Sequence, residues 1–187
     1  MIQIPLKQFI SAGHHNADSG AVSSKNKEAD ITKIIRDEIA KNAKHSEIIL
    51  DKDWETNRQY QSRIKPGKGS VVFDIHLNAS SNNKVNGVEC YVNRKDFTNK
   101  KSYSYQMAER FCKEYSEILK IPNRGVRSES SSQHSRIGIL NLGAGISVLM
   151  EIDFITSPTA VQNIINNKSA LGKVGAKILQ EFDDLIK

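Results

Sequence analysis

The chain is poor in the residues that staple small domains together. It has two cysteines, Cys90 and Cys112, in 187 residues. They form no Cys-x-x-Cys pair, which argues against a thiolate zinc knuckle or a dithiol redox motif. A chain of this length can bury a core without disulfides, so both are read as buried thiols. No apolar run approaches the ~20 residues of a membrane span. The start, Met1-Ile2-Gln3-Ile4-Pro5, lacks the basic and apolar regions of an export signal. The expectation is a chain synthesised in the cytoplasm. Aromatic residues make up only 6%, with no aromatic RNA-binding motif and no helix-turn-helix pattern, which counts against a nucleic-acid module. Internal repeats and long linkers are also missing, so residues 1–187 are expected to form one domain.

What is present reads as globular: 38% apolar and 26% charged residues leave enough of both for a core and a solvated surface. The formal charge of +6 suits an anionic partner, and nucleic acid, a membrane surface or an acidic cell wall would all satisfy it. It also suits simple solubility. Strand-like and helix-like segments alternate, which predicts an α/β domain with a twisted, mostly parallel or mixed sheet flanked by helices. Strands are expected at 7–12, 47–50, 71–77, 87–92, 137–142 and 146–150. Helices are expected at 27–44, where Ile31, Ile34, Ile35 and Ile39 share a face, at 54–64 and at 102–120. A last helix is expected to start at Ser157-Pro158, as N-cap and first helical residue, and to run to Leu185 with a break near Lys168-Ser169. Residues 128–132 read as a polar loop.

The informative feature is where ionisable residues fall. His14 follows the strand ending Ile10-Ser11-Ala12. His76 lies near the end of the strand starting at Val71, and Glu151 directly follows Ile146-Ser147-Val148-Leu149-Met150. If those strands are parallel, all three project toward the edge where α/β sheets bind ligands. Glu28 precedes Ile31 by three residues and Ile35 by seven, so it shares the packed face of its helix. A carboxylate there is costly unless paired or bound to metal. Two histidines and a carboxylate suit catalytic zinc, which takes three protein ligands and leaves one position open. A further carboxylate would serve as proton acceptor. Each residue also has a plainer reading: a hydrogen-bonded core histidine, a helix-start carboxylate, or, for Glu151, a partner of Arg136 or Arg127. On spacing alone both readings stand, and the case rests on the set of four.

At these residues the sequence resembles the zinc-dependent N-acetylmuramoyl-L-alanine amidases of the amidase-3 type, from about Phe9 to the C-terminal helix. Ser11-Ala12-Gly13-His14-His15-Asn16-Ala17-Asp18-Ser19-Gly20-Ala21 is similar to the family's Asp-Pro-Gly-His-Gly-Gly-x-Asp-x-Gly-Ala. Lys27-Glu28-Ala29-Asp30 resembles Glu-Lys-Asp at the start of the first helix, and Asp74-Ile75-His76-Leu77-Asn78-Ala79 resembles Ser-Ile-His-x-Asn-Ala. Asn123-Arg124-Gly125-Val126-Arg127 is similar to Arg-Gly-Val-Lys. Val148-Leu149-Met150-Glu151-Ile152-Asp153-Phe154-Ile155-Thr156 resembles Val-Leu-Val-Glu-x-Gly-Phe-Leu-Ser. The resemblance implies one Zn2+ per chain on His14, Glu28 and His76, catalysis by Glu151, and peptidoglycan as substrate. Asn78 and Arg136 are candidate substrate contacts.

The chain departs from the family at Ser11-Ala12, at His15-Asn16 and at Asp153. These changes are expected to alter the pocket floor and the substrate preference. The alignment favours His14 over His15 as ligand, and His45 and His134 match no family position and are read as surface residues. The implied function is hydrolysis of the amide between N-acetylmuramic acid and L-alanine. An endolysin-like setting is expected, with action on the wall after release or host lysis. A zinc carboxypeptidase acting on wall peptides and a non-catalytic basic module binding wall polymer or nucleic acid are the competing classes.

Overall fold

Residues 7–44 and 47–186 are described by a computed structural model of the chain; His45, expected at the surface, lies outside them. Along the chain run β1 (Gln8–Ser11), β2 (Val22–Ser23), β3 (Asn26–Lys27), α1 (Glu28–Asn42), β4 (Ile48–Leu50), α2 (Asn57–Arg63), β5 (Val71–Asn78), β6 (Val88–Val92), α3 (Arg94–Thr98), α4 (Tyr103–Leu119), β7 (Asn123–Ser128), β8 (Ile146–Phe154) and α5 (Ala160–Leu185). Six strands form one sheet in the order β4-β1-β5-β8-β6-β7. The first four are mutually parallel. β6 runs antiparallel to β8 and parallel to β7. The expected α/β architecture, with a mixed and mostly parallel sheet, is the one observed.

The two sheet faces differ because strand side chains alternate. On β5, Val71, Phe73, Ile75 and Leu77 enter a large core, together with Ile146, Val148, Met150 and Ile152 of β8 and Val88, Cys90 and Val92 of β6. Helices α1, α4 and α5 close that face through Ile35, Ile39, Phe111, Tyr115, Ile164 and Leu179. Both cysteines are free and buried there, as expected. The opposite face is covered less completely. Phe9, Val72 and Leu149 pack against Tyr60 and Ile64 and against Ile139 and Leu140. This second cluster leaves the carboxyl ends of β5 and β8 open on that side.

Several expectations are corrected. Residues 137–142 are not a strand: Gly138–Asn141 is a 3-10 turn. Ile139 and Leu140 are consecutive and both buried, which a turn of helix permits and an alternating strand does not. Residues 123–127, read only as a motif, and Ser128, read as the start of a polar loop, form the edge strand β7. α5 continues through Lys168-Ser169, and its N-cap residue is Thr159 rather than Ser157. The unbroken helix follows from packing, with the Tyr115 hydroxyl donating to the Leu171 carbonyl at 2.9 Å. Helix α2 starts at Asn57, not Trp54. Thr56 and Gln59 form a capping box that sets this start. The β2–β3 hairpin and α3 were not foreseen.

Candidate metal centre

The site is assembled from three parallel strands and the start of one helix. His14 sits three residues beyond the end of β1. Gly13 between them has φ +62°, and a Cβ there would lie 2.4 Å from His76 Nε2. Only glycine allows the turn and the ring to approach this closely. Gly20, also at φ +62°, plays the same part on the other side: a Cβ would meet Glu28 Oε2 and the His14 ring at 2.6 Å. Glu28 is the first residue of α1. The Glu28 and Ala29 amides donate to the carbonyls of Ala21 and Ser19 at 2.9 and 3.1 Å, which satisfies donors a helix start leaves open. His76 lies on β5 and is the register partner of Glu151 on β8.

The three candidate ligands converge. Glu28 Oε1 is 3.3 Å from His14 Nε2 and 3.1 Å from His76 Nδ1. One donor atom from each residue falls within 4.8 Å of the others. The carboxylate itself is fixed by backbone amides, Leu77 donating to Oε1 and Ala21 to Oε2, each at 2.9 Å. The far nitrogen of each ring meets a further carboxylate: His14 Nδ1 is 3.0 Å from Asp18 Oδ2, and His76 Nε2 is 3.1 Å from Asp74 Oδ2. Asp74 in turn accepts hydrogen bonds from the Ser11 hydroxyl and the Gly13 amide. A carboxylate behind a histidine fixes ring orientation and tautomer, the usual outer support of a metal-binding histidine.

The electrostatics have the same origin. Burial alone would raise the Glu28 carboxyl, but hydrogen bonds from His14 and His76 hold it well below the usual carboxylate range. Burial pulls both imidazoles down, yet the surrounding carboxylates outweigh it and raise them: Glu28 and Asp18 act on His14, and Asp74, Glu28 and Glu151 on His76. Four carboxylates, those of Asp18, Glu28, Asp74 and Glu151, line one cleft of about 620 Å3 with these two rings. That donor set could hold a metal ion.

Glu151 differs from the other three. Its Oε2 is shut off from solvent and has no hydrogen-bond partner among the described residues. Burial pushes its pKa up to about 7; His76 opposes the rise, and Glu28, Glu89 and Asp74 add to it. It pairs with neither Arg136 nor Arg127. Arg127 instead faces Glu89 at 3.7 Å, as does Arg124 at 2.8 Å.

The remaining candidates divide. Asn78 lines the cleft, with its amide donating to Glu89 at 2.9 Å and its oxygen accepting from the Ala79 amide. Arg136 lines the exposed mouth. His15 is outside the ligand cluster, its ring accepting from the Ala17 amide. His134 is exposed, as expected, but it also lines the cleft. Asp153 does not form the pocket floor: it is buried, and its carboxylate accepts from the Gly87 and Phe154 amides at 2.8 Å, pinning the chain ahead of β6.

Sequence reasoning missed Asp18, Asp74, Glu89 and Tyr91, the last a cleft-lining residue whose hydroxyl donates to Glu89 at 3.2 Å. Asp74 was legible in one respect, since residues two apart on a strand share a face and Asp74 precedes His76 by two. Glu89 was not, because its place beside Glu151 depends on β6 pairing antiparallel with β8.

A mostly parallel α/β sheet with a His-Glu-His cluster and an unpartnered carboxylate at the carboxyl ends of its strands is an arrangement that could hold a metal ion and a proton acceptor. Residues 9–181 match the Amidase_3 family, described as N-acetylmuramoyl-L-alanine amidase. The chain belongs to that family and is an amidase of peptidoglycan. Among solved structures it is similar to the N-acetylmuramoyl-L-alanine amidase AmiC2 of Nostoc punctiforme, at 19% identity over 95% of this chain and 96% of that one, TM-score 0.75. It is similar to an N-acetylmuramoyl-L-alanine amidase from Clostridium difficile 630, at 22% identity over 96% and 97%, TM-score 0.75. The catalytic domain of the CD27L endolysin, which targets Clostridia difficile, is similar at 19% identity over 94% and 97%, TM-score 0.65. No curated protein sequence matches the chain.

Proposed function

We propose that the chain hydrolyses, with one zinc, the amide joining the lactyl group of N-acetylmuramic acid to L-alanine. In this reading His14, Glu28 and His76 are the ligands and Glu151 is the general base. The observation that carries it is the meeting of His14 Nε2 and His76 Nδ1 on one Glu28 oxygen, with the partner-free Glu151 directly across the strand pair from His76. The donor set fits zinc, two nitrogens and one oxygen, with both rings backed by carboxylates.

Zinc, when bound, supplies a Lewis acid that polarises the scissile carbonyl and acidifies water. The protein's own residues do the rest. Glu151, titrating near neutrality, takes a proton from the attacking water and returns it to the leaving alanine nitrogen. Asp18 and Asp74 keep the imidazoles from rotating. Asn78 still has one amide hydrogen to offer substrate, and Arg136 contacts substrate at the rim. The setting we propose is action on the wall after release or host lysis, as an endolysin acts. No described helix is long and apolar enough to cross a membrane.

Digestion of purified peptidoglycan, with products read by mass spectrometry, tests the reading. It predicts stem peptides with a free N-terminal alanine, lost on chelation and regained with zinc. Cleavage inside the peptide, or undiminished turnover in metal-free protein, would overturn it.

A further inference from the structure

The cleft wall formed by residues 131–139 carries one cationic side chain that takes no part in the proton transfers. Arg136 is the single lysine or arginine among the lining residues, which include four carboxylates. Elsewhere around the site arginines are spent on carboxylates: Arg63 on Glu55, and Arg124 and Arg127 on Glu89. The Arg136 guanidinium is exposed and pairs with no described residue; its backbone amide alone is engaged, donating to the His134 carbonyl.

The wall that presents it is held firmly. Buried Glu129 accepts from the Arg94 amide at 3.2 Å, and from the Ile137 amide and the Asn141 side chain at 2.8 Å. The Ile137 bond fixes the backbone immediately after Arg136. The next residue, Gly138, lies so close to α2 that a Cβ would stand 2.5 Å from Gln61 Oε1. The guanidinium is therefore offered on a braced rim rather than on a loose loop.

An anionic substituent of the substrate is repelled from the floor by Glu151 and Asp74 and attracted to this rim. Guanidinium and carboxylate match in shape and can form two parallel hydrogen bonds. Wall peptides supply such a group close to the cut. When the acidic second residue of the stem is joined onward through its side chain, its α-carboxylate stays free. An extended chain advances about 3.5 Å per residue, so that carboxylate lies about 7 Å from the scissile nitrogen. A cleft of about 620 Å3 is of the size that holds a small ligand of this length.

We propose that Arg136, flanked by His134, receives the free α-carboxylate of the second stem residue and makes the enzyme prefer stems that carry it over stems in which it is a carboxamide. The proposal rests on the amidase reading above, from which it takes the position of the cut.

The experiment compares two soluble muropeptides that differ only in this group, carboxylate or carboxamide, with zinc-loaded wild type, Arg136→Ala and Arg136→Lys. Wild type should favour the carboxylate by about 10- to 100-fold in kcat/KM, the worth of one charged hydrogen-bonded contact, and the difference should sit in KM. Arg136→Ala should bring the ratio close to one, and Arg136→Lys should restore part of it. Equal kinetics of wild type on both substrates, or a loss in Arg136→Ala that is the same for both, would overturn the proposal while leaving the amidase reading intact. If wild type cut neither substrate, the amidase reading would fail. Calorimetry with the dipeptide, in acid and amide forms, would then decide the subsite. Tighter binding of the acid that disappears in Arg136→Ala supports it, and equal binding of both forms refutes it.

Discussion

Replacing Glu151 by glutamine should weaken catalysis and strengthen the fold, and the two effects have one cause. Glu151 Oε2 is shut away from water and has no hydrogen-bond partner among the described residues, and burial raises the carboxyl pKa from 4.5 to about 7. At about 1.36 kcal/mol per pH unit, that rise costs the metal-free fold about 3 kcal/mol once the group ionises. The sign follows from proton counts. Between pH 4.5 and 7 the folded protein holds a proton that the unfolded chain has released, so stability falls as pH rises through this window and levels off above it. Glutamine cannot ionise. Metal-free Glu151→Gln should therefore match wild type near pH 4 and exceed it near pH 8, by up to about 3 kcal/mol less whatever its own buried amide costs. For a chain of this size, about 2–4 °C of melting temperature accompany each kcal/mol. Turnover of the zinc-loaded variant should fall about 10²- to 10⁴-fold, the range for a lost general base, with its zinc content unchanged. Thermal melts of the metal-free pair at both pH values, beside muropeptide release, make the measurement. A stability difference between the two proteins that does not grow from pH 4 to pH 8 would refute the burial argument, and full activity would refute the catalytic one.

Other outcomes follow from the same geometry. His76→Ala should abolish stoichiometric zinc in a folded protein, read by metal analysis beside circular dichroism. Asp74→Asn or Asp18→Asn should weaken zinc affinity about 10- to 100-fold, as loss of an outer support does, and a competition titration with a chromogenic chelator would register it. Gly13→Ala places a methyl group against the His76 ring and adds about 1–2 kcal/mol of left-handed backbone strain. It should lower both melting temperature and zinc occupancy, whereas the same change at Gly67, where a Cβ would meet nothing within 4 Å, should leave zinc occupancy intact.

Much of this site was legible before the structure, and the reason is periodicity. Ile31, Ile35 and Ile39 oriented α1 and so placed Glu28 on its packed face, where it is found. The apolar runs around Val71 and Ile146 marked two strands whose parallel pairing brings His76 level with Glu151. What escaped depended on contacts between distant segments. β7 reads Asn-Arg-Gly-Val-Arg-Ser and sits at the sheet edge, half open to water, so it has no alternating apolar signal to detect. The 3-10 turn at Gly138–Asn141 buries consecutive apolar residues over a patch that only sheet order creates. Asp153 looked like a change in the pocket because it replaces the glycine that follows the glutamate in the family's motif. The hydrogen bonds it accepts from the Gly87 and Phe154 amides turn it to structural use, and no local pattern announces that.

The geometry of the centre is set by residues that never touch it. On β5 the side chains of Val71, Phe73, Ile75 and Leu77 fill the main core, which sends Val72, Asp74, His76 and Asn78 to the other face. On β8, Ile146, Val148, Met150 and Ile152 do the same and send Leu149 and Glu151 across. A slip of one residue in either strand would bury the polar set and expose the apolar one, so the register is strongly held. The apolar face, closed by α1, α4 and α5, thereby fixes the positions of His76, Asp74 and Glu151 on which the proposed chemistry rests. The second face is not closed in the same way and leaves the cleft at Glu151 open, as the proposed role of that residue needs. The unpaired carboxylate is a local destabilisation that the large core on the opposite side of the same two strands offsets.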